Sequence, residues 1–250
     1  METPPRTAPV SPGREISFGL AAQPPVASQP RVDYRPEFLD LIARRRAALQ
    51  ARVSDLLPRD RPIVWEIGCG HGHFLVRYAQ AFPEKFCVGI DLRLERLERS
   101  GRKRDRARAS NCHFLRAEAR EFFHALPIGT MLQEIWVLFP DPWPKARHHK
   151  NRLLKPEFFE AVANRTAAGA RLFFRTDDAG YFAEVAAALV PLATWRIAAD
   201  EPWPAEPETV FQERAAAFRS LTAVRTSGPA TPTEIVAPGL PPREAPRSPA

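Results

Sequence analysis

The sequence predicts an α/β domain built on a doubly wound, mostly parallel seven-stranded sheet with helices on both faces. Three observations predict it. Short β-branched and aromatic runs alternate with segments of helical periodicity along residues 36–225. A glycine-rich turn, Gly68-Cys-Gly70-His-Gly72, directly follows the first such run. An acidic residue, Asp91, ends the second run, about 20 residues on, where doubly wound nucleotide-binding folds place a ribose-reading carboxylate.

The elements follow in chain order. Residues 36–57 carry Leu39, Ile42, Leu49, Val53 and Leu56 near a helical repeat. Ile63–Ile67 is the first strand and 74–81 a helix. Phe86–Ile90 is the second strand, followed by a highly charged helix over 92–108. Cys112–Arg116 is the third strand, with a short helix near 119–125, and 134–139 is the fourth. Pro156 opens a helix that runs to Ala167, because proline suits a first helical turn. Gly169 ends that helix, and 170–175 is the fifth strand. An Ala-rich helix over 178–190 and two late strands, near 194–198 and 218–224, complete the set.

Proline marks the domain limits. Of 27 prolines, 7 fall in 1–35 and 7 in 226–250, both poor in large apolar residues. These ends bury too little surface to offset the entropy of ordering, so they are expected to be disordered tails around one domain, 36–225. Of the net charge of +7, the first tail carries +1 and the second none, so +6 falls on the domain and suits a polyanionic partner. Cys69, Cys87 and Cys112 match no zinc spacing, and no metal site is expected; Cys87 and Cys112 lie in apolar segments. No apolar stretch reaches the ~18 residues of a membrane span, and the N-terminus lacks a signal-peptide core. A cytoplasmic protein is expected. Whether it is a monomer or a homodimer is left open.

In this architecture ligands bind outside the carboxyl ends of the strands. A dinucleotide turn reads Gly-x-Gly-x-x-Gly. Here the third glycine comes one residue early, at Gly72, and His73 stands where glycine or alanine is required. Glu66 precedes the first glycine by two residues. Both details fit a nucleoside without a pyrophosphate, and the turn resembles the S-adenosylmethionine loop of Rossmann-like methyltransferases. In those, the strand-end acid faces the methionine part. The bland alternatives are a tight turn without ligand and Asp91 as a helix N-cap. At the third strand end, Glu118 is the candidate to read an adenine amino group.

The fourth strand delivers Pro140-Asp141-Pro142-Trp143-Pro144-Lys145. The prolines fix φ and lower the entropy of the free loop, as a site that aligns a nucleophile requires. Trp143 offers either a stacking face for a base or packing against the sheet. Guanine N7 carries a lone pair and no proton, so its methylation needs no strong base. A carboxylate can still hydrogen-bond the Watson–Crick edge and stabilise the charge that develops on the base. The basic stretch Arg147-His148-His149-Lys150-Asn151-Arg152 suits phosphate contacts that position a nucleic acid. Arg93 to Arg108, with eight Lys/Arg against three Asp/Glu, either extends that footprint or is a solvated face.

Phe139-Pro-Asp-Pro-Trp-Pro-Lys145, then Arg147-His-His-Lys150, behind Glu66-Ile-Gly-x-Gly-x-Gly72, resembles the bacterial tRNA (guanine-46-N7)-methyltransferase family over about residues 60–225. The resemblance implies methyl transfer from S-adenosylmethionine to a guanine in the tRNA variable loop. It implies cofactor roles for Glu66, Gly68, Gly70, Gly72, Asp91, Glu118 and Asp141, and a catalytic role for Asp141. It assigns substrate binding to Lys145, Asp177, Thr209, Val210, Phe211 and Gln212, and RNA contact to 147–152. Three departures stand out, one being that Ala215–Val224 and a proline tail replace the glycine- and aromatic-rich end common in the family. The other two concern site residues. Gln212 replaces the glutamate of the family's Thr-x-Phe-Glu, with Glu213 the adjacent carboxylate, and Glu118 stands where aspartate is usual. The alternatives are another methyltransferase of this fold acting on a base nitrogen or a protein, or a non-catalytic RNA-binding module. Asn/Asp-Pro-Pro would mark the former, and loss of the acids at 66, 91 and 141 the latter.

Overall fold

The computed structural model describes residues 36–58, 60–205, 212, 215 and 217–228. The tail expected over 1–35, and residues 229–250 of the other, lie outside the described residues. Residues 226–228 still belong to the folded body: the Thr226 amide donates to Thr194 O at 3.0 Å and its hydroxyl to Ala193 O at 2.6 Å.

The strands are β1 (Ile63–Ile67), β2 (Phe86–Asp91), β3 (Cys112–Arg116), β4 (Leu132–Leu138), β5 (Thr166–Thr176), β6 (Trp195–Ile197) and β7 (Arg219–Arg225). They form one sheet in the order β3-β2-β1-β4-β5-β7-β6, in which β7 alone runs antiparallel to its neighbours. The helices are α1 (Pro36–Leu56), α2 (His73–Ala81), α3 (Leu94–Ala107), α4 (Ala119–Ala125), α5 (Pro156–Ala163) and α6 (Ala179–Leu189). No described helix is long and apolar enough to cross a membrane. The fold class is the expected one, and the order reverses direction between β1 and β4.

Strand pleating sorts the apolar runs onto two faces, since successive side chains point oppositely. Trp65, Ile135, Val137, Leu172 and Phe174 join one core with Val53 of α1, Phe122 of α4, Phe158 and Phe159 of α5 and Val185 of α6. Val64, Trp136, Leu138 and Phe173 join the other with Phe74, Leu75 and Tyr78 of α2. Trp136 stacks on Phe173 at 4.0 Å and tilts against Phe74 at 4.6 Å. Burial on both faces is why these strands show no polar alternation. The buried Glu134 carboxylate accepts from Tyr78 Oη at 2.5 Å, Lys85 Nζ at 2.7 Å and Trp136 Nε1 at 3.1 Å, so it is compensated. On the first face α1 is fastened to α4 by a two-pronged Arg46–Glu121 pair.

Most element ends shift by only one or two residues, β4 for example running over Leu132–Leu138, but the α5–β5 junction differs by more. α5 stops at Ala163, and β5 already begins at Thr166. Thr166 Oγ1 donates back to Val162 O at 3.1 Å, and the Leu132 amide pairs with Arg165 O at 2.7 Å. The alanines at 167–168 favour helix intrinsically, but pairing with β4 overrides that weak preference. Gly169, with φ +86°, does not end the helix; it lies in the register break between Leu132↔Thr166 and Glu134↔Arg171. A 3-10 helix over Ala146–Asn151 was not anticipated from the sequence.

Candidate active site and cofactor cradle

The carboxyl ends of β1, β2, β3, β4 and β5 carry the expected residues to one edge of the sheet. After β1 the chain turns through Gly68, Gly70 and Gly72 with φ of +75°, +54° and +65°. Only glycine adopts three such values without strain. The amides of Gly68 and Cys69 both donate to Ile90 O at 2.9 Å, which ties the turn to β2. A Cβ on Gly68 or Gly70 would meet nothing within 4 Å, so open space faces the turn there. Gly72 differs: its Cβ would lie 2.7 Å from Phe114 Cζ and 2.9 Å from Ser100 Cβ, so close packing under α3 requires this glycine. Ser100 Oγ completes the tie by donating to Gly70 O at 3.0 Å.

Glu66 is 4 % exposed, and its Oε2 is buried without a hydrogen-bond partner. Burial, and secondarily the Asp91 carboxylate, raise its pKa from 4.5 to about 8. An orphaned acceptor at a ligand-binding edge calls for a donor from outside the chain. Asp91 Oδ2 accepts from the Gly70 amide at 3.1 Å and Oδ1 from the Arg93 amide at 2.8 Å, with Arg96 Nη1 at 3.5 Å. The N-cap of α3 is Arg93 rather than Asp91. A carboxylate offers about four acceptor sites, so Asp91 retains room for a diol. Glu118 is the N-cap of α4: Oε2 accepts from the amides of Arg120 at 2.7 Å and Glu121 at 3.1 Å, and Oε1 from Arg120 Nη1 at 3.2 Å. With about four sites, it keeps one for an amino group. These acceptors and the open glycine turn fit a nucleoside that carries an ammonium, a ribose diol and an exocyclic amine, as S-adenosylmethionine does.

β4 pairs with β1 through Ile67↔Val137, so the loop after it emerges beside the glycine turn. Asp141 is exposed there. Phe139 and Trp143 flank it with φ of +49° and +48°, values that cost a bulky residue strain. The Phe139 amide is held by Arg175 O at 2.8 Å. Trp143 meets His148 edge-on at 5.9 Å, so the loop folds onto the 3-10 helix. Lys145 is exposed at the start of that helix, and Asp177 is exposed at the end of β5.

Within the basic stretch Arg147 and Lys150 are exposed, while His148, His149 and Asn151 are half-buried. The expectation for Arg152 is corrected. It is 4 % exposed, pairs with Glu184, donates to Pro142 O at 2.9 Å and lies 4.8 Å over the Tyr181 ring. It anchors the Asp141 loop to α6 and cannot meet a phosphate.

Thr209, Val210, Phe211 and Glu213 lie outside the described residues. Gln212 accepts a hydrogen bond from Arg175 Nη1 at 2.9 Å. Arg175 is the residue that sequence reasoning missed. Buried at 4 % exposure, its guanidinium lies 4.3 Å over Trp203 and 4.4 Å over Phe218, and its Nε donates to Ser220 Oγ at 2.9 Å. The available signal was one arginine inside the apolar run Leu172-Phe-Phe-Arg175, just before Asp177.

Strand order, glycine turn and edge carboxylates together define a Rossmann-like methyltransferase fold. The family model described as "Putative methyltransferase" matches residues 60–222, and the chain belongs to that family. Among curated relatives, tRNA (guanine-N(7)-)-methyltransferases are 32% identical in Rubrobacter xylanophilus (60% of this chain, 66% of the relative) and 38% in Nocardia farcinica (52% and 48%). The Thermus thermophilus protein of that name is 34% identical over 52% of this chain and 42% of its own. The chain thus covers less than two thirds of each relative's length. Among solved structures, precorrin-6y C5,15-methyltransferase from Geobacter metallireducens is similar at TM-score 0.47 and 14% identity, over 73% of this chain and 86% of that one.

Proposed function

We propose that the chain transfers a methyl group from S-adenosylmethionine to N7 of a guanine in tRNA, guanine 46 of the variable loop being the position the sequence resemblance implies. The observation that carries this reading is the Asp141 loop. An exposed carboxylate leaves β4 beside the glycine turn, between two left-handed residues, and an exposed basic 3-10 helix follows it. The names of the curated relatives support the same chemistry here.

When bound, S-adenosylmethionine supplies a methyl carbon made electrophilic by its sulfonium. The chain's residues do the rest. Glu66 offers its unpartnered oxygen to an ammonium, Asp91 accepts from the ribose hydroxyls, and Glu118 accepts from the adenine amine. Gly68 and Gly70 leave the approach open, and Gly72 keeps the turn packed beneath it. Asp141 orients guanine by accepting from N1–H and the exocyclic amine. No base is needed, because N7 already presents a lone pair. As the base becomes cationic, the fixed carboxylate stabilises it, an effect for which loss of one such group costs about 10²–10³ in rate. Lys145, Asp177 and Gln212 bind the base, and the sequence resemblance adds Thr209, Val210 and Phe211 to the substrate-binding set. Arg147 and Lys150, with His148, His149 and Asn151, hold the RNA backbone.

Substituting 7-deazaguanine at the target position tests the acceptor atom, since it puts carbon where N7 was. Transfer to unmodified tRNA and none to the substituted tRNA is expected. Equal transfer to both would mean an exocyclic nitrogen or another base, and the N7 reading would fall.

A further inference from the structure

The charges of α3 are sorted by flank. At about 100° per residue, Arg96, Arg99, Lys103 and Arg106 share one flank and Glu98 and Asp105 lie on the other; Glu95 falls at the border of the basic flank and has Arg93 at 3.7 Å. The basic flank borders α2: Gln80 Nε2 of α2 donates to Ala107 O of α3 at 3.0 Å, and Arg77 of α2 acts on Lys103. The start of α3 lies against the glycine turn, where Ser100 Oγ donates to Gly70 O at 3.0 Å and the nearby Arg99, Arg96 and Lys103 act on His71. Arg96 has Asp91 at 3.5 Å, but among the described residues no carboxylate lies within ion-pairing distance of Arg99, Lys103 or Arg106.

We infer that this flank of α3 is a second RNA-backbone surface, separate from the stretch after Asp141, and that it leads a phosphate chain along the helix to the mouth of the cofactor cradle. From Arg96 to Arg106 is ~15 Å of helix, about the axial length of four phosphates on one strand of a duplex. A rigid row rich in arginine suits phosphate oxygens, which guanidinium groups bind with two parallel hydrogen bonds. Cations that repel one another are destabilising unless a polyanion relieves them. Burial chiefly, and secondarily Arg106 and Arg77, lower the Lys103 pKa to about 8. A lipid surface is less well matched, because the exposed Leu94 falls on the acidic flank and leaves the basic one without an apolar wedge.

This inference rests on the reading of the chain as a tRNA methyltransferase. Its test is the salt dependence of tRNA binding by the full chain and by the triple variant Arg99→Gln/Lys103→Gln/Arg106→Gln, between about 50 and 200 mM salt. None of the three hydrogen-bonds or ion-pairs with Glu66, Asp91, Glu118 or Asp141, so cofactor affinity should stay within about threefold and the unfolding temperature should be retained. The slope of log Kobs against log[salt] should fall in magnitude by about 2–3. An unchanged slope, with wild-type binding intact, overturns the α3 surface and leaves the function standing. A wild type that does not bind tRNA overturns both. Phosphatidylserine vesicles held by the wild type and lost by the variant, with no change in tRNA slope, would assign the flank to lipid.

Discussion

Glu66 Oε2 is the most exacting single atom of the cradle. A cationic group set against it favours the ionised form, so cofactor binding should release a proton wherever free Glu66 is protonated, that is below about pH 8. Cofactor affinity should rise with pH from about 6 to 8 and then level, and Glu66→Gln should abolish the slope. Calorimetry in buffers of different ionisation enthalpy measures the proton, and no release at about pH 7 contradicts the assignment. For folding, a raised pKa favours the protonated form in the native state. That stability is complete below about pH 4.5 and is lost as pH rises through about 8. Asp141→Ala should slow single-turnover methyl transfer by at least about 10²-fold and shift cofactor affinity only about threefold. A variant with wild-type turnover removes Asp141 from the mechanism. The strand-end placement of Glu66, Asp91 and Asp141 was legible because each closes or follows an apolar run. Arg152 and Arg175 were not, since their burial depends on Glu184, Trp203 and Phe218, which are distant in sequence.

At the scale of elements, the glycine turn separates packing from binding. Gly72→Ala forces a Cβ to 2.7 Å from Phe114 and keeps a left-handed φ, so it should cost about 2–4 kcal/mol of stability. Gly68→Ala has open space and carries only the conformational cost of about 1–2 kcal/mol, but its methyl points where the cofactor is proposed to lie. Thermal unfolding should rank Gly72→Ala as the worse variant, and cofactor titration should rank Gly68→Ala as the worse. The reverse ranking contradicts a cradle at Gly68. Most elements could be read from periodicity and β-branched content. The α5–β5 junction could not, because Thr-Ala-Ala-Gly-Ala carries no local signal for the bulge that β4 imposes.

Over the whole molecule, the sheet order follows from alternating strands and helices, and it brings five strand ends to one edge although their residues span Glu66 to Asp177. Hydrophobic pattern sufficed for that, because two apolar faces admit few other layer arrangements. The proposed RNA footprint was legible only in part. Composition revealed excess positive charge, but which cations face outward is decided by packing. Arg147→Gln/Lys150→Gln should lower the salt slope of tRNA binding by about 2 and leave stability unchanged. Arg152→Gln should leave the slope alone and cost about 1–3 kcal/mol in denaturant unfolding, since it strips a partly exposed Glu184 of its partner. Equal slope changes in both variants would contradict the division between anchor and contact. The central claim is tested most directly by mass mapping of nucleosides from unmodified tRNA incubated with the full chain and methyl-labelled S-adenosylmethionine. The expected result is label in 7-methylguanosine alone, in the variable loop; label in any other nucleoside, or none in the tRNA, contradicts it.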